Sequence, residues 1–216
     1  MNALTRPPVL AALVALATHP AVAQQNPALP VAGVQQVGLL IHPGVQNELK
    51  LDDKQVEAAK ALAGRTRETM QANAQAIQGL DPADRNRKLE EMNRGLEAQT
   101  VESIASILNE AQRKRLRQIS LQQRGGMAFV DPEVQKDLKM SEAQKARVQS
   151  LVNESFLQMR SALQNAQANR QEAIEKAQSL RKRLTETLTA ELTDEQKATW
   201  KAMLGAPFEV RYESGK

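Results

Sequence analysis

Apolar residues recur every three or four positions through most of this chain and almost nowhere alternate. After Val56, the positions Ala59, Ala63, Thr66, Met70, Ala74 and Ile77 keep to one stripe, the spacing of a single helical face. Leu89, Met92, Leu96, Thr100, Ile104 and Leu108 make a second stripe. Val148, Val152, Phe156, Met159, Leu163 and Ala166 make a third, and Ile174, Ala177, Leu180, Leu184 and Leu188 a fourth. Gly79-Leu80-Asp81-Pro82 parts the first two with a stop, a cap and a proline suited to the first helical position. No Gly or Pro parts the third and fourth. Glu142–Glu191 therefore reads either as a hairpin bent near Asn165–Asn169 or as one helix of roughly 75 Å at about 1.5 Å per residue. Pro43 and Pro132 open short amphipathic segments, which predict helices over Pro43–Leu49 and Pro132–Leu138. Two more short helices hold Leu116 and Ile119, ended by Gly125-Gly126, and Trp200 and Met203, ended by Gly205 and Pro207. Strand-type alternation is absent. The expected fold is all-α, two helical hairpins making a thin, curved layer.

A five-residue phrase marks the helix starts. It reads Leu51-Asp52-Asp53-Lys54-Gln55, Leu108-Asn109-Glu110-Ala111-Gln112, Met140-Ser141-Glu142-Ala143-Gln144 and Leu192-Thr193-Asp194-Glu195-Gln196. Asp, Asn, Ser and Thr are strong N-caps because a short side-chain oxygen accepts from an orphan N–H of the first turn. Gln three residues on can reach back to the cap's own N–H and close a capping box. The phrase predicts helix starts and carries no chemistry of its own.

The phrases belong to a duplication. Pro43-Gly-Val-Gln-Asn-Glu-Leu-Lys-Leu51 matches Pro132-Glu-Val-Gln-Lys-Asp-Leu-Lys-Met140, each after three apolar residues and one polar one. Leu96, Ile104 and Leu108 align with Leu180, Leu188 and Leu192. Two tandem helical units are expected, over 38–126 and 127–210, with a short tail at 211–216.

The N-terminus reads as an export signal over 1–23. Arg6 supplies the positive region, Val9 to Ala17 the apolar core, and Ala21-Val22-Ala23 the small-x-small site before Gln24. The apolar run is shorter than the roughly twenty residues a membrane span needs, so no integral membrane segment is expected after cleavage. The Gln-, Pro- and Ala-rich stretch 24–37 reads as a flexible leader.

Composition removes several functions. The chain has no cysteine, two histidines and a net charge of +4 from 29 basic and 25 acidic residues. Without Cys, and with His42 the one histidine beyond the signal, neither nucleophilic catalysis nor a tight zinc or copper site is expected. No catalytic residue, cofactor or metal site is expected, and the chain does not read as an enzyme. His42, just before Pro43, reads as a helix cap. Interspersed charge and five aromatics argue against a nucleic-acid partner.

Two basic clusters, Arg113, Lys114, Arg115 and Arg117, and Arg181, Lys182 and Arg183, read either as solvated charge or as a rim that steers a polypeptide partner. Met70, Met92 and Met159 read as core or as the adaptable side chains of a promiscuous surface. Together they are the candidate client-binding residues.

A cysteine-free, exported, all-helical chain whose helices begin with this phrase resembles the Spy/CpxP family of LTxxQ-motif proteins. Leu192-Thr193-Asp194-Glu195-Gln196 fits the motif in full, and the other three copies fit it with the cap or first residue varied. The resemblance implies a periplasmic, ATP-independent chaperone that holds unfolded or amphipathic polypeptides on a concave surface during envelope stress. Relatives pair two chains of one unit, whereas here both units lie in one chain, implying a monomer with pseudo-twofold symmetry or a weak dimer. The alternatives are a regulatory adaptor for one envelope partner and a periplasmic metal sensor.

Overall fold

A computed structural model describes residues 32–164 and 170–210. The expected signal (1–23), most of the expected leader, the expected bend (165–169) and the tail (211–216) lie outside these residues. Among the described residues the chain is all-α. The order is α1 (Ala32–Leu40), α2 (Pro43–Leu49), α3 (Asp53–Ala76), α4 (Pro82–Ile107), α5 (Glu110–Arg124), a 3₁₀ helix (Gly125–Val130), α6 (Pro132–Asp137), α7 (Glu142–Gln164), α8 (Arg170–Ala190) and α9 (Asp194–Leu204). The helix α3 packs along α4 and α7 along α8, so the 142–191 stretch is a hairpin and not one continuous helix.

Local chemistry explains where the helices begin and end. Asp52, Asn109, Ser141 and Thr193 each accept from the backbone N–H of the Gln three residues on, at 2.8, 2.9, 3.2 and 3.2 Å. Each of those Gln side chains accepts from the cap's own N–H in return, so all four phrases are capping boxes. His42 caps α2 by accepting from Gly44 N–H at Nδ1, and Asp131 caps α6 by accepting from Glu133 N–H. Both short helices end alike. Lys50 and Lys139 adopt left-handed backbone at φ 52° and 49°, and the next residue's N–H returns to Gln46 O and Gln135 O. The side chains of Gln46 and Gln135 donate to Leu40 O and Phe129 O at 2.8 and 2.9 Å, tying each short helix to the segment before it.

Two apolar clusters hold the elements together. The first gathers Val37, Leu40, Val45, Leu49, Leu62, Ile104, Leu116 and Ile119, with Val210 and part of Phe208. The second gathers Leu121, Phe129, Val134, Leu138, Val148, Val152, Leu184, Leu188 and Trp200, where the Phe129 and Trp200 ring centroids lie 4.6 Å apart. Helix α5 feeds both clusters and packs on α9. In α3 nothing beyond Thr66 is buried, and in α4 nothing before Leu96. The first hairpin is therefore packed at its capped end and thinly covered beyond it.

Two expected boundaries need correction. Residues 32–37 are not leader: they begin α1, in which Gly33, Val37, Leu39 and Leu40 are buried. Gly33 N–H is caught by Glu97 Oε2 at 2.9 Å, and a Cβ there would fall 2.0 Å from Thr100 Oγ1, so only glycine permits this approach. Val34, Val37 and Ile41 carry a helical spacing, but α1 lacks a Ser, Thr, Asp or Asn before it, and its Gln content resembles the leader's. The boundary at 126/127 also fails, because it cuts the 3₁₀ helix. Leu121 from the first stretch lies in the second cluster, and Val210 from the second lies in the first.

Candidate functional site

The motif glutamines do more than close boxes. Gln55 Nε2 donates to Gln112 Oε1 at 2.9 Å and Gln112 Nε2 donates back to Gln55 Oε1 at 3.1 Å. The second hydrogens go to backbone carbonyls: Gln55 to Ile107 O at 2.8 Å and Gln112 to Leu49 O at 3.2 Å. Each amide therefore uses both of its hydrogens, while its oxygen accepts from its own cap and from its partner, which is its full capacity. The pair ties the starts of α3 and α5 to the ends of α2 and α4. Gln144 and Gln196 repeat the exchange at 2.9 and 3.1 Å, with second donations to Glu191 O and Leu138 O. The spacing of the phrase predicts the caps but not this pairing, because partners 57 and 52 residues apart are brought together only by the fold.

Much of the expected basic rim is committed within the molecule. Arg115 is 18 % exposed; its Nε donates to Glu48 at 2.8 Å, its Nη1 to Gln118 and to Ala206 O, and it lies over the Phe208 ring. Arg117 pairs with Asp137 at 2.6 Å, Arg181 donates to Gln123 O, and Lys182 approaches Glu186. Arg115 leaves the candidate set because it fastens α2, α5 and the segment after α9. Arg113, Lys114 and Arg183 remain exposed.

The apolar candidates fare differently. Met70 is 47 % exposed, and Met92 and Met159 are half-buried. Ile41, Val101, Phe156, Leu157 and Ile174 are also exposed. Met70 and Ile41 line one groove of about 460 Å³ between α1 and α3, with Val34, Val37, Gly38, Ala63, Thr66, Arg67, Gln71 and Ala74. The lining is predominantly apolar and Arg67 is its one charge. Thr66 and Met70 lie on the sequence stripe of α3, whereas the α1 wall begins within the stretch expected, up to residue 37, as leader. A smaller cleft of about 150 Å³ lies between α7 and α8, lined by Leu151, Ser155, Leu180 and Arg183 among others.

Among the described residues no group of three or more His, Asp or Glu side chains converges on a point that could hold a metal. No helix among them is long and apolar enough to cross a membrane. Asp81, the cap of α4, is held below the usual carboxylate range by the N–H of Asp84, opposed by slight desolvation, with further help from Ala83 N–H. That is a capping effect and not a poised acid. The chain matches no family model, no curated protein and no solved structure.

Proposed function

We propose that this chain is an exported, ATP-independent chaperone-like protein that holds unfolded or partly folded envelope polypeptides on apolar surface its hairpins leave uncovered. The observation that carries the reading is the α1/α3 groove, an apolar channel with Met70 on its wall and Ile41 at its edge. Exposed apolar side chains along a groove can form a binding surface, and a flexible thioether adapts to many shapes. The tandem reading of two LTxxQ-type units draws support from position-matched contacts. Gln55–Gln112 corresponds to Gln144–Gln196, His42 to Asp131, Gln46 to Gln135 and Lys50 to Lys139. Covering of each unit by the other in one chain favours a monomer. The test is aggregation of several unrelated unfolded proteins, followed by light scattering without ATP. Delay of most of them is expected; delay of none transfers the protein to the class of adaptors that bind one specific partner.

A further inference from the structure

Two polar groups stand out in the apolar α1/α3 groove. Thr66 is 6 % exposed and lines it. Its neighbours satisfy themselves along their helices: Thr69 donates to Arg65 O at 3.0 Å, and Thr100 to Leu96 O at 2.8 Å. The Thr66 hydroxyl makes no hydrogen bond to any described residue, and since no buried side-chain oxygen there lacks a partner, it must open into the groove. Arg67 lines the groove as well and forms no ion pair with any described residue. A partnerless hydroxyl on a largely buried residue, beside an exposed guanidinium, is a donor pair for an acceptor that the described residues do not supply.

The position of the pair sets the shape of the occupant. Ala63 and Ala74 bound the α3 wall, and at about 1.5 Å per residue they lie roughly 16 Å apart. That length takes about five extended residues at about 3.3 Å each. Thr66 and Arg67 fall between Ala63 on one side and Met70 and Ala74 on the other. A chain-terminal carboxylate on Arg67 would leave one half of the groove empty, whereas an internal acidic side chain fills both.

We infer that the α1/α3 groove seats an extended aliphatic segment with a central Asp or Glu, whose carboxylate accepts from Arg67 and Thr66. The inference rests on the client-binding reading and sharpens it: the preferred segment is apolar at both ends and acidic in the middle. Hydrogen bonds to a charged acceptor are the strong kind, so charge at the centre should rank the ligands.

The probes are three N-acetylated, C-amidated pentapeptides with two aliphatic residues on each side of a central Glu, Gln or Lys, titrated into the full chain by fluorescence anisotropy. The Glu peptide is expected to bind about tenfold tighter than the Gln peptide, and the Lys peptide weakest, from one charge-assisted contact. Arg67→Glu should reverse the order. Thr66→Val should weaken the Glu peptide several-fold and leave the Gln peptide nearly unchanged. Met70→Ala should weaken all three without changing their order, and circular dichroism checks that each variant is folded. Equal binding of the three peptides, no binding, or an order that survives Arg67→Glu overturns the inference. If unfolded proteins are still held in those cases, the chaperone reading stands without it. If the peptides rank as expected but no unfolded protein is held, the chaperone reading falls and the site stands.

Discussion

Gln144 and Gln196 face each other amide to amide, each accepting at Oε1 from the other's Nε2, at 2.9 and 3.1 Å. Glu would serve a capping box as well as Gln does, but a carboxylate cannot donate to its partner or to a carbonyl. The fold therefore selects the amide for its hydrogens. Gln196 is only 9 % exposed, so Gln196→Glu would set a charge against Gln144 Oε1 and Leu138 O.

Gln196→Glu should cost about 2–4 kcal/mol at neutral pH, from lost donors and an uncompensated buried charge. Thr193→Ala should cost about 0.5–2 kcal/mol, the ordinary loss of a cap. Urea unfolding of both variants ranks the two roles. A Glu variant as stable as the parent would leave the glutamine as a cap and nothing more.

Lys139 has φ 49° with an L side chain, a backbone state that costs about 1–2 kcal/mol outside glycine. Lys139→Gly removes that cost and adds freedom to the unfolded chain, so a net gain of about 0.5–1 kcal/mol is expected. Lys139→Val should lose stability. Thermal melts of the two variants should move in opposite directions.

Two glycines in different surroundings should respond oppositely to the same change. A Cβ on Gly126 would meet the Thr185 backbone N at 2.9 Å, while one on Gly64 would meet nothing within 4 Å. Gly126→Ala should cost about 1–3 kcal/mol as the 3₁₀ helix is pushed off α8. Gly64→Ala, inside α3, should gain about 0.5–1 kcal/mol. Equal responses would contradict the close packing of Gly126 on α8.

The Asp81 cap predicts an acid-side dependence. Its folded pKa is lowered, chiefly by Asp84 N–H, so its contribution is present above the ordinary Asp range and is lost as pH falls through the folded value. Asp81→Asn keeps a capping oxygen without the charge. The melting-temperature difference between parent and Asp81→Asn should be constant above about pH 5 and shrink below the ordinary Asp range near pH 3.9. A difference unchanged down to about pH 2 would show that the charge contributes nothing.

The helices were legible because their signals are local. The four caps, the turn at Asp81-Pro82 and the role of His42 each depend on residues within four positions of one another. The glutamine pairs, the commitment of Arg115 to Glu48, Ala206 and Phe208, and the groove were not legible, because their partners come from distant stretches. Helix α1 lies between these cases. Its spacing was readable, but no cap announced it, and it is held by distant partners: Glu97 on α4 accepts from Gly33 N–H, and Val37 and Leu40 pack into the first cluster. The basic clusters carry two readings for a related reason: a run of Arg and Lys looks the same in sequence whether solvated or paired.

The most direct test of the central claim asks where on the molecule an unfolded protein touches. A photo-crosslinking side chain is placed singly at Met70, Phe156, Arg113 or Lys182, and each variant is irradiated with a chemically unfolded client at low salt. Crosslinks from positions 70 and 156, with little or none from 113 and 182, are the predicted result, because the account gives holding to the uncovered apolar surface. Crosslinks from the basic positions alone, or from none of the four, would contradict it.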